Sequence, residues 1–227
     1  MELKVIAHIR NSYREKFGIP RQSGLAQAVS QIVFEKEYRD ANALRGLEGF
    51  SHIWLIWGFS ANENRQDQAF RPTVRPPRLG GNERMGVFAT RSPFRPNPVG
   101  LSCVVLNQVI ESPEGPVLEV LGADLMDGTP IYDIKPYLPQ FDSHEDARCG
   151  FVESSDFPTL KVIFPETLLA EVPQAERPAL LQALAQDPRP QYQDDPERVY
   201  GMKYADLDIR FKVCADELVV IEILKIT

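Results

Sequence analysis

Residues 51–59, SHIWLIWGF, form a near-continuous apolar run that is far too short to span a bilayer. A run of this kind reads as a strand that is either buried on both faces or closes a barrel. Upstream of it, Leu3–Ile9 (LKVIAHI) and Gln31–Lys36 (QIVFEK) read as strands. Downstream, Leu101–Ile110 (LSCVVLNQVI) and Val117–Leu121 (VLEVL) flank ESPEGP, whose proline and glycine suit a hairpin turn. Met85–Thr90 is apolar enough for one more strand. Tyr38–Leu47 reads as a short helix with Gly46 near its C-cap, and Ala123–Leu138 as an Asp-Gly turn followed by a short apolar run. Strands follow strands, with neither βαβ alternation nor a GxGxxG motif, so an antiparallel β core is expected.

The texture changes after the polar, acidic stretch 141–155, which marks the expected boundary between two units. Thr159–Phe164 is strand-like. Glu166–Val172 and Pro178–Gln186 read as helical, with Leu180, Leu181 and Leu184 on one face. Asp206–Val213 and Leu218–Ile226 make a β-hairpin. The expected fold is therefore mainly β: an antiparallel barrel core over residues 1–142 and a smaller α+β domain over 150–227.

Composition narrows the function. Hydrophobic content of 43% and charged content of 25% belong to an ordinary globular chain. Cys103, Cys149 and Cys214 are odd in number and form no CxxC pair, which fits reduced thiols and a cytoplasmic location. The N-terminus MELKVIAHIR lacks the features of a secretory signal. Three dispersed histidines leave no zinc-ligand spacing, so no metal is expected.

Charge is unevenly placed. Between Gln68 and Gly100 the chain carries six arginines (71, 75, 78, 84, 91, 95) against one acid, Glu83, although the whole chain has a net charge of −7. Six prolines fix φ in the same segment, and four glycines permit the tight turns between them. Rigidly held guanidinium forks suit an anionic partner such as nucleic acid; the alternative is neutralisation by carboxylates elsewhere in the fold. The C-terminal residues from Phe151 on, with 14 acids against 8 bases, are a poor bulk RNA clamp.

Four clusters are candidates for chemistry. Pro20-Arg21-Gln22 is a constrained loop that reads equally as a ligand loop or as an ordered turn. Arg91, Arg95 and Asn97 sit in a proline-locked loop; the Asn97 amide could accept an N–H from a substrate or merely satisfy local backbone. Asp124-Leu125-Met126-Asp127-Gly128 carries two carboxylates that could bind hydroxyls or a cation, or serve as a base, and it equally fits a simple Asp-Gly turn. Asp187-Pro188-Arg189-Pro190 with Tyr192 reads as an exposed, stiff element for phosphate and base contacts, or as a helix stop.

Taken together, RPTVRPPRLGGNERMGVFATRSPFRPNPVGLS (71–102), preceded by EKFGIPRQ and RGLEGFSHIWLI and followed by DLMDGTPIYDIKPYLP, resembles the TsaA/TrmO family over most of residues 1–140. The resemblance continues more weakly through AQDPRPQY. It implies a β-barrel, S-adenosylmethionine-dependent tRNA methyltransferase. The implied reaction is N6-methylation of threonylcarbamoyladenosine at position 37 in threonine-accepting tRNA, by a homodimer. Carried over by motif, the cofactor is cradled by Pro20, Arg21, Gln22, Phe59, Ser60, Arg91, Leu101 and the backbone of Asp124, Leu125, Met126, Asp127 and Gly128. Some relatives carry a longer polar side chain where Ser60 stands. Asn97 or Asp127 is expected to take the substrate proton. Arg71, Arg75, Arg78, Arg84, Arg95, Arg189 and Tyr192 are expected to contact tRNA. A non-catalytic RNA-binding barrel and a barrel binding an anionic small molecule remain the competing readings.

Overall fold

The computed structural model describes residues 2–59, 70–76, 83–153, 158–189 and 195–226. Ser60, Arg78 and Tyr192 lie outside them. In chain order the strands are β1 (Ala7–Arg10), β2 (Val29–Phe34), β3 (His52–Gly58), β4 (Thr73–Val74), β5 (Met85–Gly86), β6 (Val99–Ser112), β7 (Gly115–Leu121) and β8 (Pro130–Pro136). After them come β9 (Lys161–Ile163), β10 (Tyr200–Tyr204), β11 (Leu207–Cys214) and β12 (Glu217–Lys225). The helices are α1 (Pro139–Asp142), α2 (Glu166–Leu169) and α3 (Arg177–Ala185).

Six strands close an antiparallel barrel in the order β1-β2-β7-β6-β3-β8. Closure leaves no open sheet edge. The decisive run at 51–59 closes the barrel between β6 and β8: Ile53, Leu55 and Trp57 point inward, and its outer face is covered in part by Tyr137 against Trp54. The core alternates as a pleat requires, with Ala7, Ile9, Ile32, Phe34, Val104, Leu118, Val120 and Ile131 filling the interior. Strand β6 is long because it serves two neighbours. Residues Val99–Val105 pair with β3, and residues from Val105 to Ser112 pair with β7 across an irregularity at Leu106/Gln108.

The second unit is a four-stranded sheet, β10-β11-β12-β9, with α3 packed on it through Ala179, Leu180, Ala183 and Leu184. Its core also takes in the segment that connects β1 to β2. Tyr13, Ala26 and Ala28 are buried within it, and Phe17 and Ile19 pack against it. A bridge between Tyr13 and Tyr204, and a hydrogen bond from Ala205 N–H to the Ser12 carbonyl (2.7 Å), tie this connection to the sheet. The C-terminal unit thus docks on the barrel of its own chain.

Several local expectations are corrected. Residues 38–47 form no α-helix but 3₁₀ turns at Lys36–Tyr38 and Ala41–Leu44, followed by another at Leu47–Gly49. The Asp40 side chain accepts from Asn42 N–H, and Gly46 is left-handed at φ 86°; both favour tight turns over a continuous helix. Strand pairing in 85–90 stops after Gly86, and Val87–Ala89 turns as 3₁₀. The apolar run after the Asp-Gly turn is a full barrel strand, β8, with proline at both ends. Strand β10, ahead of the expected hairpin, extends it to three strands through a turn at Ala205 (φ 53°).

Candidate active site

The register brings the C-terminal ends of β1, β3 and β7 and the N-terminal ends of β2, β6 and β8 to one end of the barrel. There a buried polar chain forms. The Trp57 indole N–H donates to the Ser102 hydroxyl (3.0 Å), which in turn donates to Asp124 Oδ1 (2.5 Å). Trp57 fits because Gly100 faces it: a methyl group at Gly100 would lie 2.2 Å from Trp57 Cε2. On its other side Trp57 meets the Phe59 ring at 4.4 Å between centroids. Pairing of Phe59 N–H with the Pro98 carbonyl (3.3 Å) draws the Pro-Asn-Pro loop to this end.

Burial pushes the Asp124 carboxyl above the usual carboxylate range. Its hydrogen bonds from Ser102, from its own backbone N–H and from Ser23 N–H act in the other direction, as does the charge of Arg91. The Arg91 guanidinium donates to Gln22 Oε1, and Gln22 Nε2 donates to the Arg21 carbonyl (2.6 Å). Arg91, Gln22, Ser23 and Asp124 therefore form one arch over the barrel end. A carboxylate that burial makes uncomfortable, with no cation among the described residues seated directly on it, favours a ligand carrying positive charge.

The neighbouring carboxylate is different. Asp127 Oδ1 accepts from Asn11 N–H (3.0 Å) and Oδ2 pairs with Arg14. It lines an open surface cleft of about 520 Å³ with His8, Ile9, Arg10, Asn11, Arg14 and Gly128. Asp127, the other expected acceptor of the substrate proton, is thus already held by Asn11 and Arg14. Leu125 is buried and its carbonyl accepts from Asn11 Nδ2 (2.9 Å). The Met126 carbonyl takes Thr129 N–H, and Gly128 (φ 77°) donates to the Ile9 carbonyl (2.8 Å). These backbone groups build the turn that sends Asp124 and Asp127 to different places.

The remaining expected residues divide. Asn97 is exposed beside the arch, and among the described residues its side-chain amide makes no hydrogen bond, while its carbonyl accepts from Val99 N–H (2.8 Å). Leu101 is 55% exposed on the outer face of β6, so its side chain points away from Asp124. Pro20 is buried, and Arg21 turns away from the arch toward the C-terminal unit, donating to the carbonyls of Asp187 and Arg189. Arg71, Arg75 and Arg84 are exposed. Arg95 is committed locally, donating to the Thr90 carbonyl (2.7 Å) and lying 5.8 Å from the Phe88 ring centroid. Arg189 corrects the expectation of an exposed contact: it is 9% exposed and holds both oxygens of Asp187 (2.9 and 3.0 Å).

Ser102, Trp57 and Ser23 were missed as site residues. Ser102 carried a readable signal, since period two from Val104 and Leu106 puts its hydroxyl on the apolar inner face, where it must find a partner.

Two family models cover nearly the whole chain: the tRNA-methyltransferase O N-terminal domain over residues 8–143 and the TrmO C-terminal domain over 158–226. The chain belongs to the tRNA-methyltransferase O family. It is 41% identical to the tRNA (adenine(37)-N6)-methyltransferase of Escherichia coli, over 93% of each chain. A Pseudomonas aeruginosa relative named for S-adenosylmethionine-dependent methyl transfer is 41% identical over 94% of this chain and 93% of its own. A crystal structure of TrmO from P. aeruginosa superposes with a TM-score of 0.78 at 34% identity, covering 99% of this chain and 97% of that one. The family is enzymatic and S-adenosylmethionine is its methyl donor.

Proposed function

We propose that this chain methylates N6 of threonylcarbamoyladenosine at position 37 of threonine-accepting tRNA, with the arch around Asp124 as its donor site. The observation that carries the reading is the Trp57–Ser102–Asp124 chain beneath Arg91 and Gln22. The donor set fits S-adenosylmethionine. Asp124 offers negative charge to a sulfonium, Phe59 a flat apolar ring, and the 20–23 loop polar backbone. When bound, S-adenosylmethionine supplies an electrophilic methyl group.

The chain's own residues have three tasks. Ser102 and Ser23 hold the Asp124 carboxylate in one orientation, so its charge is preorganised. Asn97, exposed and with an amide oxygen that no other described residue engages, accepts the N–H of the urea-like nitrogen and aligns it for attack. Arg71, Arg75 and Arg84 meet the RNA backbone. Beside them Phe70 and Phe88 stack at 6.2 Å with Phe88 71% exposed, a platform suited to unstacked anticodon-loop bases. The expected homodimer belongs to this reading, and a monomer in analytical ultracentrifugation would remove it.

The test is methylation of purified tRNA that bears or lacks the threonylcarbamoyl group, followed by nucleoside mass spectrometry. Methylated product only from the modified tRNA is the expected result. Equal methylation of plain adenosine, or no product, overturns the substrate assignment. Asn97→Ala should slow single-turnover methylation by about 10² or more with cofactor affinity nearly intact.

A further inference from the structure

The loop at residues 20–23 is held from two sides. On the barrel side, Gln22 takes the Arg91 guanidinium and Ser23 N–H reaches Asp124. On the other side, Arg21 Nη2 donates to the carbonyls of Asp187 (3.3 Å) and Arg189 (3.1 Å), just past the end of α3. Those carbonyls face Arg21 because the 187–189 turn is itself fixed. Asp187 is left-handed at φ 49°, and its carboxylate accepts from the Arg189 backbone N–H (3.2 Å) as well as from its guanidinium. Further anchors flank the loop. Gly18 is packed so closely on Met202 that an added methyl would lie 2.1 Å from its sulfur. Gln27 N–H donates to Gln182 Oε1 on α3 (2.7 Å). The loop that completes the arch is thus anchored to the C-terminal sheet and helix.

We propose that the C-terminal unit positions the donor-site loop of its own barrel, with Arg21 acting as a strut to the 187–189 turn and not as a ligand contact. This rests on the arch being the S-adenosylmethionine site. A loop joined by one flexible end would sample many conformations. Its apparent affinity for ligand falls in proportion to the competent fraction. Arg21 meets main-chain carbonyls, so what it reads is the shape of the turn, and that shape depends on Asp187 and Arg189. Changes remote from the pocket should therefore be felt inside it.

The test uses the full chain with Arg21→Ala, Arg21→Gln, Asp187→Gly and the Arg21→Ala/Asp187→Gly double variant. Glycine keeps the left-handed backbone at 187 while removing the carboxylate. Calorimetry with S-adenosylmethionine should show each single variant weakened by about tenfold, and the double variant no weaker than Arg21→Ala alone. Affinity for tRNA should stay within about twofold, a split that general loss of structure would not give. Amide exchange at Gln22 and Ser23 should accelerate in every variant without cofactor present, while protection in β3 and β6 is retained. Wild-type affinity in Asp187→Gly with Arg21→Ala weakened would make Arg21 a direct ligand contact and overturn the proposal. Unchanged exchange at 22–23 in Arg21→Ala would overturn it as well. Should wild-type protein bind no S-adenosylmethionine, the donor-site reading fails, and the exchange data alone decide whether the strut exists.

Discussion

Ser102→Ala is the most informative perturbation, because one hydroxyl serves both Trp57 and Asp124. Ser102 is 2% exposed, so water cannot readily replace it. Losing the hydroxyl orphans the buried indole N–H, at a cost of about 1–3 kcal/mol. Asp124 also loses a charge-assisted bond of about 1.5–3 kcal/mol, part of which it recovers by taking up a proton. A net loss of about 2–4 kcal/mol is expected, a large share of the roughly 5–15 kcal/mol by which domains are stable. The cycle with Trp57→Phe isolates the chain of bonds. Once Ser102 is gone, replacing the indole removes an unsatisfied donor, so the double variant should be more stable than additivity predicts by about 1–3 kcal/mol. Urea unfolding of the four proteins at neutral pH measures this coupling. Losses that add to within about 0.5 kcal/mol would show that the bonds do not act as one chain and would refute the reasoning. A second readout is functional. The Ser102 bond lowers the Asp124 carboxyl against the burial that raises it, so Ser102→Ala should move the acid limit of S-adenosylmethionine binding to higher pH.

Asp124→Asn should weaken S-adenosylmethionine binding by about tenfold or more in calorimetry, while the unliganded protein melts no lower than wild type. The sign follows from the raised carboxyl. Between the ordinary carboxylate range and its folded value the native state binds the extra proton, so stability from this group declines as pH rises through that window. Melts from about pH 4 to about pH 8 should therefore show less decline in Asp124→Asn than in wild type. Gly100→Ala forces Cβ into the Trp57 ring; overpacking of about 1–3 kcal/mol should lower Tm by about 2–4 °C per kcal/mol in calorimetry. Arg75→Ala and Arg84→Ala should each reduce the salt slope of tRNA binding by about 1 with S-adenosylmethionine affinity unchanged, whereas an unaltered slope places them away from the RNA backbone.

The barrel was legible because its strands obey local rules. Short apolar runs at β3, β6 and β7, and a proline-glycine turn between the last two, are written in the sequence, whereas the period-two burial along them shows only in the folded chain. Strand β8 was harder. Its bounding prolines, Pro130 and Pro136, argue against a central strand on local grounds, and only ring closure between β1 and β3 gives it partners. The 3₁₀ turns at 36–49 were misread for a related reason: helix-compatible residues yield to Asp40 capping and to the left-handed Gly46. At the site, the arginine-rich segment and the Asp-Gly turn could be seen as clusters, but their partners could not. Arg91 meets Gln22 across 69 positions and Arg14 meets Asp127 across 113; no spacing rule carries that far.

The two carboxylates of Asp-Leu-Met-Asp-Gly show how such long-range contacts decide chemistry. Three residues apart and alike in sequence, they look interchangeable as cation sites or bases. Gly122 is left-handed at φ 82° and Gly128 at φ 77°, so the chain reverses on both sides of the pair. Asp124 is carried into the barrel end, where burial raises its carboxyl and Ser102 and Ser23 fix its orientation. Asp127 is carried to the outer cleft, where Arg14 and Asn11 already use both oxygens. A carboxylate paired with arginine has little field left for a cation, whereas one that burial raises and only neutral donors bond gains most when a cation arrives beside it. The same comparison separates Arg21 from Arg91: one fork is spent on the 187–189 carbonyls, while the other stands at the arch with Asp124 inside its field. Residue type nominated four candidates here, and only the partner of each decides which of them can act on a ligand.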